Sequence, residues 1–161
     1  MTAGPPEDDS GARLAPTPLK VLVAWGLTGL VLGWLLRTVV TAAGGIVPVV
    51  GWVQAFVLFF VAAVLAGVAR ATRRAIAEPE RRPEPHQLVN RLVLARACAL
   101  VGALVAGGYA GYAVSWLGVS SELVGLRVLR SLVASVGGLV MTVAAVALER
   151  ACRAPTDGDP A

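Results

Sequence analysis

A 161-residue chain with a hydrophobic fraction of 57%, only 15% charged residues and a mean hydropathy of +0.74 is too apolar for a water-soluble domain of that length. Its net charge of +4 does not indicate nucleic-acid binding, because the cations sit at the ends of apolar segments instead of covering a water-facing surface. Two cysteines, Cys98 and Cys152, exclude a disulfide scaffold, and no Cys-x-x-Cys spacing is present.

Residues 1–18 hold four prolines, two glycines and the acidic run Glu7, Asp8, Asp9. They offer almost nothing to bury, which predicts a disordered tail. The chain is then apolar over 19–40, with Lys20 at one end and Arg37 near the other. That is about 20 residues, enough to cross about 30 Å of hydrocarbon as a helix. A Gly-Gly turn follows, and Pro48 suits the first turn of a second span over 48–69, closed by Arg70, Arg73 and Arg74.

Residues 70–91 form a basic, proline-rich loop carrying Arg70, Arg73, Arg74, Arg81, Arg82 and Arg91. His86, the lone histidine, falls within it. The third span covers 92–118. Ser120 to Arg130 reads as a short interfacial helix, with leucines towards lipid and Glu122, Arg127 and Arg130 towards water. A fourth span covers 131–148, and 154–161 is a second loose tail. The expected fold is therefore all-α: four transmembrane helices in an up-down bundle.

Lysines and arginines set the orientation. One side collects Arg13, Lys20, Arg70, Arg73, Arg74, Arg81, Arg82, Arg91, Arg96, Arg150 and Arg153; the other has Arg37, Arg127 and Arg130. Both termini and the basic loop are thus expected in the cytoplasm, with the loop near anionic lipid. Trp34, Trp52, Trp116 and Tyr112 fall near the opposite ends, where amphipathic rings favour the headgroup layer. A cleaved secretory signal fits poorly, since the first apolar core is too long and an acidic tail precedes it.

Small residues are the most informative feature inside the spans. Gly29 and Gly33 form a small-xxx-small pair in the first; Ala99, Ala103, Gly107 and Gly111 form a stripe along the third; Gly137 and Gly138 thin the fourth. Such stripes let helices approach closely where lipid supplies no hydrophobic drive, within one chain or between two copies. Arg96 lies nearest to bilayer depth and can snorkel to the headgroups. The sharper expectation pairs it with Glu149, because the third span leaves the cytoplasm and the fourth returns to it.

No Ser/His/Asp set, phosphate-cradling loop or metal-ligand cluster can be assembled, so neither enzyme activity nor a cofactor is expected.

The run Val93-Leu94-Ala95-Arg96-Ala97-Cys98-Ala99-Leu100-Val101-Gly102-Ala103-Leu104, and the closing Ala147-Leu148-Glu149-Arg150-Ala151-Cys152-Arg153-Ala154-Pro155, resemble an uncharacterised family of small four-helix membrane proteins. That family occurs in high-GC Gram-positive (actinobacterial) bacteria and is known as a domain of unknown function. The resemblance implies a plasma-membrane location and a gene often set beside folate-biosynthesis genes, and it brings no activity. The expected role is a non-enzymatic accessory or scaffold protein packing against another membrane protein or against itself; a small oligomeric transporter or channel is the alternative.

Overall fold

The computed structural model describes residues 17–45, 50–77, 85–117 and 122–153. Among them every regular element is helical: α1 (Leu19–Ala42), α2 (Trp52–Ala77), α3 (Pro85–Val114) and α4 (Glu122–Arg153). Each contains a stretch long and apolar enough to cross a membrane: Leu19–Ala42, Trp52–Ala77, Val89–Val114 and Val124–Cys152. The 30 residues of α3 and 32 of α4 span roughly 45–48 Å, longer than the roughly 30 Å thickness of a bilayer's hydrocarbon.

Local signals account for the helix ends. Pro18 caps α1 with extended backbone at φ −67, ψ 137. At its far end Gly44 has φ +67, a left-handed conformation that glycine adopts without steric cost. The Gly45 amide donates to Val40 O (2.9 Å) and that of Gly44 to Thr41 O (3.1 Å). These two bonds form a Schellman motif, which satisfies carbonyls the helix would otherwise leave unpaired. Pro85 opens α3, where a missing N–H costs no helical bond.

Several boundaries differ from expectation. The arginines grouped over 70–91 are divided: Arg70, Arg73 and Arg74 lie on the last turns of α2, which runs about two turns past 69 as a helix stopped only by Pro79 would, and Arg91 lies on α3, while Arg81 and Arg82 fall outside the described residues. The helix starts before Leu92 because Arg91 has a use there, its Nη1 donating to Thr72 Oγ1 at 3.0 Å. His86 lies in the same helical opening. The interfacial helix expected over 120–130 is not separate among the described residues: those from Glu122 onward are the first turns of α4, and 120–121 lie outside them. The joint is sealed by Ser131, fully buried, whose Oγ donates to Arg127 O at 2.9 Å.

The helices pack in the order α1–α3–α4–α2, the principal contacts being α1 with α3, α3 with α4 and α4 with α2. Direction alternates along the chain: the start of α1 and the end of α4 meet at Thr17 and Glu149, and the ends of α1 and α3 at Arg37 and Ser115. Consequently α1 runs parallel to α3, and α3 antiparallel to α4. Half of the span window of α4 is buried, against 11% of that of α1, which makes α4 a central member and α1 a flank.

The closest contact is between α1 and α3. A methyl group added at Gly29 would strike the Leu104 carbonyl oxygen and come within 3.0 Å of Gly108 N; at Gly33, Gly107 and Gly111 it would strike the carbonyls of Gly108, Gly26 and Leu30. Backbone therefore lies directly on backbone along this seam. The α3–α4 interface uses alanine instead: Ala95, Ala99, Ala134 and Ala145 are fully buried. Met141, Leu148 and Cys152 of α4 pack with Ala62, Leu65 and Ala69 of α2.

Three hydroxyls in the apolar layer are satisfied within the protein, as hydrocarbon favours. Thr28 and Thr142 donate to the carbonyls of Ala24 and Gly138 on their own helices, at 2.9 Å each, whereas Ser135 crosses from α4 to Ala106 O of α3 at 2.8 Å.

Gly29→Leu or Gly107→Leu is expected to cost about 3 kcal/mol or more, the upper range for overpacked sites. Gly67→Ala, whose added carbon meets nothing within 4 Å, should stabilise by up to about 1 kcal/mol through helix propensity. Thermal unfolding of the three variants in one detergent checks the contrast; equal midpoints would remove the seam from the account.

Candidate functional site

Two polar assemblies stand at opposite ends of the bundle, with an apolar groove leading to one of them. At the first end Glu149, only 3% exposed, is the hub. Its Oε2 accepts from Thr17 Oγ1 at 2.8 Å, and its Oε1 accepts from the Thr17 amide at 3.0 Å and from Arg96 Nε at 3.4 Å. A carboxylate withdrawn from water is tolerable only when it is paired and hydrogen-bonded, and here it gains two helices as well as a cation. The positive pole at the start of α1 adds a further favourable interaction. Thr17 falls in the segment expected to be a loose tail, yet it is the residue that fastens α1 to α4.

Beside this hub lie Arg91, bonded to the fully buried Thr72, and two unpaired thiols. Cys152 belongs to the apolar cluster with Leu148 and Ala145, and Cys98 packs against it. Arg70, Arg73 and Arg74 have fully exposed or outward-facing positions on α2, consistent with contact to lipid headgroups.

At the other end Trp116 is only 9% exposed. The Cζ atoms of Arg37 and Arg127 lie over its ring, 4.5 and 5.0 Å from the centroid. Tyr112 meets the same ring edge-on, with centroids 6.1 Å apart. Arg37 Nη1 also donates to Ser115 O. Arg130 sits over Trp52 at 5.8 Å. All three cations expected on this side are thus held against indoles, an arrangement worth about 0.5–2 kcal/mol each.

Charge here is not balanced. Among the residues whose side chains are described, none of Arg37, Arg127 and Arg130 has an acidic partner within ion-pair distance. Two like charges about 10 Å apart repel by about 1.7 kcal/mol at an effective dielectric of about 20. Two buried donors, Trp116 Nε1 and Arg130 Nε, have no acceptor among the described residues. The assembly therefore combines excess positive charge with unused hydrogen-bond capacity.

The groove adjoins it. Leu32, Gly33 and Leu36 of α1 form one wall, Val50 and Gln54 the opposite wall, and Val105, Tyr109 and Tyr112 of α3 the floor, enclosing about 500 Å³. It exists because α1 and α2 flank the central pair without a principal contact to each other, so the space between them opens sideways. Tyr112 belongs to both, lining the groove and meeting the Trp116 ring, so the groove and the arginine–tryptophan assembly are neighbours at this end of α3.

The residues singled out from the sequence distribute over these features. Arg96 and Glu149 meet. Gly29, Gly33, Gly107 and Gly111 lie in the α1–α3 seam, while Ala99 and Ala103 are buried farther along α3. Gly138 lies against Ala106 of α3, and Gly137 against Leu58 and Phe59 of α2. Sequence reasoning missed Thr17 and the clamp on Trp116; the second had a signal in the spacing of Tyr112, Trp116, Arg127 and Arg130 at one end of two spans.

A family model described as a protein of unknown function (DUF3180) matches residues 22–156. The chain belongs to that family. No curated protein and no solved structure matches it.

Glu149→Ala removes the acceptor of three donors and should destabilise by about 3–5 kcal/mol. Thr17→Ala, which keeps the amide bond to the carboxylate, should cost about 1 kcal/mol. Thermal midpoints of both variants in detergent give the comparison. Indistinguishable midpoints for the parent and Glu149→Ala would deprive the hub of structural weight.

Proposed function

Starting from membership of a family without an assigned activity, we propose that this is a non-enzymatic accessory protein of the plasma membrane that works by holding an amphiphile in its lateral groove. Both termini and the α2–α3 connection lie in the cytoplasm. Lys20, Arg70, Arg73, Arg74, Arg91, Arg96 and Arg150 at one end of the helices, against Arg37, Arg127 and Arg130 at the other, support that orientation by the positive-inside rule.

The observation that carries the binding role is the size and opening of the groove. About 500 Å³ lies within the roughly 300–1,000 Å³ typical of sites for one small ligand. The glycine stripes that would otherwise recruit a second helix are already filled by α1 and α3, which favours a lipid-like occupant over a protein scaffold role. Gln54 and Tyr109, facing the same space, favour the second reading, a small oligomeric transporter, only if several copies join their grooves.

A photo-cross-linking residue at Leu32 in the full chain, activated in native membranes, is expected to yield an adduct with the mass of a lipid. Adducts exclusively with a second copy would replace this reading by the oligomeric transporter. Accessibility tags at Gly44 and Pro83 are expected to report opposite compartments, and the same compartment for both would overturn the threading.

A further inference from the structure

We propose that Arg37, Arg127 and Arg130, together with Trp116 Nε1, form a headgroup site for a phospholipid of net negative charge whose chain lies in the groove. This rests on the groove reading above and assigns the chemistry of the occupant. Three observations converge on it. Three guanidinium groups lie on indoles at the end of the helices where Tyr112 closes the groove, and among the residues whose side chains are described none has an acidic partner. Trp116, nine-tenths buried, and Arg130 each carry a buried N–H without an acceptor. The groove that reaches this end is almost wholly apolar apart from Gln54 and two tyrosines.

An oxyanion fits all three. It supplies acceptors to donors that lack them, and it offsets the mutual repulsion of the arginines, whose planar fork suits phosphate oxygens. A neutral headgroup would leave the charge unbalanced. A free anion would leave the groove unused. The indoles hold Arg37 and Arg127 at 4.5 and 5.0 Å and Arg130 at 5.8 Å, so little side-chain freedom remains to be lost on binding. The site is thus ready for a ligand that is long and apolar at one end and anionic at the other.

The test is native mass spectrometry of the full chain in detergent, with phosphatidylglycerol and phosphatidylcholine of equal chain length. The unmodified protein is expected to retain the anionic lipid about tenfold better. Arg127→Gln with Arg130→Gln should bring the ratio to within about twofold, with both lipids still bound. Trp116→Phe, which keeps the ring and removes the donor, should lower retention of the anionic lipid alone. Leu32→Trp, which fills the groove, should lower retention of both. Equal retention of the two lipids by the unmodified chain overturns the headgroup assignment and leaves the groove standing. Unchanged retention in Leu32→Trp sinks the groove itself. Displacement of the anionic lipid by millimolar inorganic phosphate alone would make this a soluble-anion site and overturn the proposal. The headgroup comparison is read on the unmodified chain, so it decides the matter even if a variant does not fold.

Discussion

The architecture depends on the absence of side chains where α1 meets α3. In hydrocarbon there is no water to expel between helices, so association rests on van der Waals contact and on internal satisfaction of polar groups. Gly29 and Gly33 on one helix, and Gly107 and Gly111 on the other, allow carbonyl oxygens to lie where methyl groups would otherwise stand. Fixing α1 on α3 in this way sends it to the edge of the row. α2 occupies the other edge, against α4, and the sideways opening between them is a result.

Polar interactions then act at the two rims and differ in kind. Glu149 collects donors from the start of α1 and from α3 until its charge is accommodated. At the opposite rim cations accumulate against aromatic faces, and donors outnumber acceptors. The first rim is closed upon itself and structural. The second retains capacity for an anion, which is why a functional reading concentrates there and not at the conspicuous buried carboxylate.

Much of the fold was legible in the sequence, because a bilayer requires long uncharged segments, and those around Val31, Val61, Ala103 and Val140 announce themselves by composition alone. The small-residue stripe of α3 was legible as a packing face, but its partners were not. Residues four apart advance about 40° around a helix beyond one full turn, so a stripe from Ala99 to Gly111 rotates as it climbs. Ala99 thus joins the cluster formed with α2 and α4, while Gly107 and Gly111 lie against α1. The approach of Arg96 to Glu149 could be anticipated from the reversal of chain direction between two spans. Thr17 could not, since nothing periodic distinguishes a threonine between prolines. Trp116 resembled an interfacial aromatic because composition cannot tell a ring lying among headgroups from one enclosed by arginines.

The packing order also constrains biogenesis. Gly29 and Gly33 emerge from the ribosome long before Leu104 and Gly108, and the helix made next, α2, is not the one they fit. The glycine face of α1 therefore has no backbone to receive it until α3 has been made. Neither α1 nor α2 can find its packing partner before the α3–α4 pair exists, and a chain interrupted after α2 would leave the Gly29–Gly33 seam without the surface it fits.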